Sequence, residues 1–223
     1  MNESLLKGSV CFLTLDMGFG GAEKVIATLA NKLSESGREV TIVTILDQND
    51  FSNVLDPRIK IDYLSVKNFK TSFFVLCNYL YKNRFDNFIA NIWPLTVFSL
   101  PIRFFFRKTN LVLIEHCILS EQYKTKHLIF KFLLKLSIST FYRFAHHVVC
   151  VSQGVKDDLI SLGAPKNKSI VIFNPLMPIS SNANDLKNKK KRNWMHGSSI
   201  NLIAVGQLIQ VKNFLNLIKS INI

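Results

Sequence analysis

Carboxylates are scarce in this chain. Only 15 Asp and Glu stand against 28 Lys and Arg, a formal net charge of +13. Such an excess attracts polyanions, meaning nucleic acid, anionic lipid headgroups or phosphorylated substrates. Cysteine is sparser still. Cys11, Cys77, Cys117 and Cys150 lie far apart, with no CxxC pair and no histidine at zinc-finger spacing. That excludes a metal- or disulfide-stapled mini-domain and predicts buried, reduced thiols, three of them within apolar strand-like runs. No metal site is expected from the histidines either. A clean apolar run long enough to span a bilayer is also missing. The best candidate, residues 88–106, is interrupted by Asn91, Pro94, Pro101 and Arg103, whereas a spanning helix needs about 20 mostly apolar residues. Contact with a membrane surface is left open. The start of the chain has one lysine and a short apolar run broken by Asp16, which is not the pattern of a secretory leader.

What is present is alternation. With 48% hydrophobic and 19% charged residues the chain has material for a sizeable core. Val10 to Leu15 reads as a strand buried on both faces, and from Ala22 the apolar residues Val25, Ile26, Leu29, Ala30 and Leu33 recur at helical spacing. Ser36-Gly37 stops that helix, and Val40 to Leu46 reads as a second buried strand, completing a βαβ unit. Further strands are expected at Ile59 to Leu64, Asn87 to Asn91, Leu111 to Cys117, His147 to Ser152 and Ser169 to Pro175. Helices are expected at Thr71 to Lys82, Leu95 to Phe106, His127 to Ala145 and Gly154 to Leu162. Near-continuous apolar strands alternating with helices imply an α/β fold, a Rossmann-like parallel sheet with helices on both faces.

The pattern breaks at Asn174. Up to Ser199 the chain is polar, with a basic run at Lys187 to Arg192, as expected of an interdomain linker. Asn201 to Val205 then reads as a new strand, Gly206 as a turn, and an amphipathic helix starts near Lys212. Three segments are expected: a first domain over 1–176, a basic polar linker over 177–199, and the incomplete start of a second domain over 200–223.

Three stretches have the residue types that chemistry requires. Gly18 to Lys24, GFGGAEK, joins the first strand to the first helix, where glycines admit close backbone approach and a helix N-terminus favours an anion. It matches neither a dinucleotide fingerprint nor a P-loop, and a plain βα turn is the competing reading. Glu115 and His116 close a strand at its carboxyl end, the edge where ligands gather in open α/β sheets. In Val149 to Leu176, Ser152 is placed to cap a helix that Gly163 and Pro165 end.

Together with the last segment, these carry a resemblance. GGAEKVIATLANKLSESGREVTIVT, VVCVSQGVKDDLISLGAPKNKSIVIFNP and AVGQLIQVKNFLNLIKSI occur in the order and spacing of the family 4 glycosyltransferases, enzymes of two facing Rossmann-like domains (the GT-B architecture). The resemblance implies a retaining transferase that moves sugar from a nucleotide-sugar donor to a glycan or lipid-linked acceptor in cell-surface polysaccharide or lipopolysaccharide assembly. No cofactor or metal is implied. It also implies roles: Gly20 and Gly21 as a glycine loop at the cleft, His116 at the donor sugar or reacting centre, and Gly206, Gln207 and Lys212 at the donor diphosphate. The family usually has arginine where Gln207 stands, which removes a charge from the leaving group's surroundings. The family's acidic pair for the donor lies beyond Ile223, so a truncation, a disrupted gene or a split enzyme with a second chain supplying the donor domain is expected, and this chain alone is expected to be inactive.

One more signal is independent of the family. From Lys124 to His147 there are five Lys or Arg and no acid, among large apolar residues. Arg103, Arg107, Lys108, Lys124, Lys126, Lys131 and Lys135 are candidate contacts to an anionic membrane, which would make the protein cytoplasmic and peripheral at the inner face of the cytoplasmic membrane. A core helix with lysines reaching to solvent is the alternative. Nucleic acid is not expected as a partner, since no RNA-binding sheet motif or recognition helix is present. A non-catalytic, acceptor- or membrane-binding half is the rival to the enzyme.

Overall fold

The computed structural model describes residues 8–66, 69–175, 202–206 and 212–221. Two compact units emerge, Met1–Leu176 and Met177–Ile223. In the first, seven strands form one sheet: β1 (Val10–Thr14), β2 (Val40–Thr44), β3 (Lys60–Tyr63), β4 (Asn87–Asn91), β5 (Asn110–Glu115), β6 (His147–Cys150) and β7 (Ser169–Val171). All neighbours pair parallel, in the order β3-β2-β1-β4-β5-β6-β7. The direction of winding therefore reverses between β1 and β4.

Alternate residues of each strand turn to opposite faces. Cys11, Leu13, Phe88, Ala90, Leu111, Leu113, Val148 and Cys150 form one core with Leu76 and Leu80 of α2 (Phe69–Lys82), Ile102 of α4 (Leu100–Phe105), Leu119 of α5 (Leu119–Gln122), Leu134 and Ile138 of α6 (Leu128–Phe141), and Val155 and Leu159 of α7 (Gln153–Ser161). Phe12 and Ile42 have the other parity and are buried outside that cluster, as are Val25, Ile26, Ala27 and Ala30 of α1 (Gly21–Glu35). So α1 covers one face and the later helices the other. Towards β7 the α1 side is thinly covered, and Ile170 and Ile172 are exposed.

The expected elements recur, with differences at their ends. The single helix expected over Leu95 to Phe106 is two, α3 (Leu95–Phe98) and α4, broken at Ser99. Pro101 has no N–H to donate and its ring crowds the preceding turn, so a continuous helix cannot pass through it. The helix expected to reach Ala145 stops at Phe141 and tightens into a 3₁₀ turn, Tyr142–Phe144. β5 ends at Glu115, which corrects the placement of Cys117: it is exposed, not buried in a strand. Cys77 is half-buried, and Cys11 and Cys150 are buried as expected. β7 stops at Val171 because its partner β6 stops at Cys150, and Ile172 and Phe173 beyond it are exposed.

Of the second unit, Leu202 to Val205 forms no strand. A strand needs a partner's backbone groups, and Leu202, Ile203 and Val205 are instead exposed. The expected helix is present as α8 (Phe214–Ile221) and has no buried residue. The basic run Lys187 to Arg192 lies outside the described residues.

Candidate functional site at the carboxyl edge of the sheet

The winding reverses between β1 and β4, and open α/β sheets receive ligands in the crevice at the carboxyl ends of the strands beside such a reversal. The glycine turn follows β1 there. Gly18 N donates to Asp16 Oδ1 at 2.9 Å, and Phe19 N to Asp50 Oδ2 at 3.1 Å. Gly20 is the N-cap of α1 without a side-chain cap hydrogen bond, and the first turn carries one acid, Glu23. A Cβ on Gly20 would meet the Glu23 carboxylate, whereas one on Gly21 would meet open space. Burial raises the Glu23 carboxyl above its ordinary range, and Asp16 adds to this.

Across the crevice, β4 ends in Asn91, which is fully buried. Its amide Nδ2 donates to Leu13 O of β1 at 3.2 Å and to Ile89 O at 3.5 Å, bridging the two strands where the winding reverses. Asn91 Oδ1 faces His116 Nε2 at 3.5 Å. His116 and the glycine turn are thus brought to one edge, linked through Asn91 and β1. Burial pushes the His116 imidazole down to about 4. It is neutral at pH 7, so it acts there by hydrogen bonding and not as a cation.

Beneath His116, Glu115 is fully buried on the opposite face of β5. Three donors hold its carboxylate: Trp93 N at 3.2 Å, Thr96 Oγ1 at 3.1 Å, and Tyr142 OH. Burial outweighs them and pushes the carboxyl up to about 7. The cluster ties the turn after β4, α3 and the end of α6 to the strand that presents His116. Trp93 continues it outward, donating from Nε1 to Ser137 Oγ at 3.1 Å and meeting Tyr123 and Phe130 edge-on. Sequence reasoning singled out Glu115 and His116 but missed Asn91, Trp93, Thr96 and Tyr142. A polar residue ending an apolar strand was the one available signal, at Asn91. Tyr142 had none, because nothing local ties it to a residue 27 positions away.

In the second unit, a Cβ on Gly206 would lie 3.4 Å from the Phe214 ring and 3.6 Å from the Lys212 side chain, so the turn brings Gly206 and Lys212 together. Gln207 lies outside the described residues.

The seven cations do not converge on one spot. Arg107 and Lys108 are exposed before the amino end of β5, while Lys124 and Lys126 are exposed after its carboxyl end. Arg103 is half-buried on α4, and Lys124 pairs with Glu121 at 3.0 Å. Lys131 and Lys135 are exposed on α6. Between these groups lies an apolar stripe. Leu128, Ile129, Phe132, Leu133 and Leu136 are 47–80% exposed, opposite the buried Leu134 and Ile138. Leu128, Phe132 and Leu136 recur every four residues and so share one side of the helix. Among the described residues no helix is long and apolar enough to cross a membrane.

Comparison with known proteins places this arrangement. The sequence profile of Glycosyltransferase Family 4 matches residues 19–176. No curated protein matches. Among solved structures, HepE from Anabaena in complex with UDP-glucose is similar at 20% identity and TM-score 0.60, over 76% of this chain and 44% of that one. A sucrose-phosphate synthase from Thermosynechococcus elongatus is similar at 13% identity and TM-score 0.55, over 74% of this chain and 47% of that one. WaaB, a lipopolysaccharide outer core galactosyltransferase in its apo form, is similar at 18% identity and TM-score 0.53, over 76% of this chain and 46% of that one. These likenesses are of fold, and the chain spans less than half the length of each.

Proposed function

This chain belongs to glycosyltransferase family 4, and on that premise we propose that it forms the acceptor-side part of a retaining enzyme that transfers sugar from a nucleotide sugar to a glycan or lipid-linked acceptor. In such a reaction an acceptor hydroxyl attacks the anomeric carbon on the face the diphosphate leaves, a glycosidic bond forms, the bond to the diphosphate oxygen breaks, and the hydroxyl proton passes to that departing oxygen. Residues 1–176 would present the acceptor, 177–199 would link, and 200–223 would begin the donor side, with a second chain as the other possible source of the donor domain. The observation that carries the reading is His116 at the carboxyl edge of the sheet, facing Asn91 beside the β1–β4 reversal and within the segment the family profile matches.

In this scheme His116 hydrogen-bonds the sugar in its neutral form. Gly20 and Gly21 would admit the ligand at the N-terminus of α1, and Gly206, Gln207 and Lys212 would be the donor diphosphate contacts. Lys212 would offset the leaving charge without a metal. The UDP-glucose bound to HepE and the galactosyl transfer named for WaaB support a nucleotide sugar as donor and surface glycan as product. The exposed α6 stripe, bordered by cations, supports peripheral attachment to an anionic membrane on the cytoplasmic side. The same stripe also favours a second reading, a non-catalytic half that recruits acceptor or membrane for a partner chain.

The test is nucleoside diphosphate release from a panel of nucleotide sugars with a lipid-linked glycan extract. We expect none from the 223-residue chain alone, and release when a family member's donor-side domain is added in trans, lost in His116→Ala. Turnover by the chain alone overturns the division of labour. A His116→Ala rate equal to wild type in the reconstituted mixture overturns the role of His116.

A further inference from the structure

The amide of Asn91 can face only one way. Its Nδ2 lies 3.2 Å from Leu13 O and 3.5 Å from Ile89 O, two acceptors. Turning the amide over would point its carbonyl oxygen at two other carbonyl oxygens in a fully buried place, an unmade bond and a repulsion together. Oδ1 is therefore the atom that faces His116 Nε2 at 3.5 Å. Oδ1 has no proton, so the contact is a hydrogen bond only when Nε2 carries one. In a neutral imidazole that leaves Nδ1 bare.

We propose that Asn91 is a positioning residue that holds His116 in its Nε2–H tautomer, so that Nδ1 is offered as a hydrogen-bond acceptor to a ligand hydroxyl. A sugar hydroxyl is a donor of the required kind, and a ligand able only to accept is not. The ring is thereby set to read a hydroxyl's proton. The chain of constraint runs from the β1 backbone through the Asn91 amide to His116, so the strand pairing at the point of reversal determines the imidazole's chemistry. The use of Nδ1 rests on the transferase reading. The tautomer does not, and it is measured without ligand or turnover.

Long-range ¹H–¹⁵N spectra of the imidazoles in the full 223-residue chain at pH 7 provide the test. His116→Gln identifies the His116 signals among the five histidines. Wild type should show protonated Nε2 and bare Nδ1 at His116. His146 is an internal standard, because its Nδ1 accepts from Leu111 N at 2.9 Å and must give the same pattern. Asn91→Ala should release His116 into a tautomer mixture. Asn91→Asp, fully buried and facing Leu13 O and Ile89 O, must keep a proton to donate there, leaving its other oxygen as an acceptor, so His116 should retain Nε2–H. An Nδ1–H or averaged His116 in wild type overturns the proposal, as does an Asn91→Ala spectrum identical to wild type. If Asn91→Ala does not fold, Asn91→Asp decides, and an Nδ1–H or averaged His116 there overturns it.

Discussion

Tyr142 donates its hydroxyl to the carboxylate of Glu115, and both side chains are fully buried. The contact joins the end of α6 to the carboxyl end of β5 under the candidate site. Tyr142→Phe removes one of three donors and leaves an under-satisfied carboxylate in the core. We expect a loss of about 1–3 kcal/mol, read from urea unfolding at pH 8, and a smaller loss at pH 4.5, where the carboxyl is neutral. Equal losses at the two values would mean that the charge on the Glu115 carboxylate plays no part in the contact.

Glu115 and His116 oppose one another in pH dependence. Burial holds the Glu115 carboxyl up at about 7 against an ordinary 4.5. The native state keeps a proton that the unfolded chain releases, so this stabilisation is whole below pH 4.5 and is lost as pH rises to 7. Burial holds His116 down at about 4 against 6.5. There the unfolded chain takes the proton, so stability is whole above pH 6.5 and is lost as pH falls to 4. Each displacement corresponds to roughly 3 kcal/mol, and between pH 4.5 and 6.5 the two cancel. Urea midpoints should rise with pH across that window in Glu115→Gln and fall in His116→Gln. Parallel profiles in the two variants would remove this account.

Two single changes probe how α7 is bounded. Ser152 Oγ accepts from Val155 N at 3.3 Å, and Ser152→Ala should cost about 1 kcal/mol. Gly163 has φ of +99°, and a Cβ there would fall 2.6 Å from Ser139 Cβ. Gly163→Ala should therefore cost more, about 1–3 kcal/mol from the backbone alone. Thermal melts of both variants give the order, and a milder Gly163→Ala would mean that the turn leaves the positive-φ region at little cost.

The α6 stripe should bind anionic vesicles in a salt-sensitive way, since each Lys or Arg near such a surface contributes about 1 kcal/mol. Charge reversal at Lys124, Lys126 and Lys131 to Glu should release the chain at low salt. Leu128→Ser with Phe132→Ser should weaken binding without altering the salt slope. Sedimentation with neutral and anionic vesicles separates the terms, and equal binding to both would leave only hydrophobic adhesion.

What the sequence by itself determined was the order and type of elements, because that information is local. Alternating apolar runs and helical spacing from Val10 to Ser169 specify a parallel sheet wherever they are read, and Asn87 to Asn91 is a strand to the residue. The carboxyl-edge position of His116 followed from the same pattern. Ends were less legible, because they depend on neighbours. β7 stops at Val171 because its partner β6 stops at Cys150, and α3 parts from α4 at Ser99 because Pro101 outweighs the apolar spacing around it. Only the tertiary structure decided what surrounds the site. Winding reverses between β1 and β4, and that brings Leu13, Asn91 and His116 into one line across 103 positions of chain. It also sets Tyr142 against Glu115 and turns the apolar side of α6 outward. Hydrogen bonds and burial of this kind are relations between distant residues, and no period in a linear sequence encodes which distant residue will be the partner.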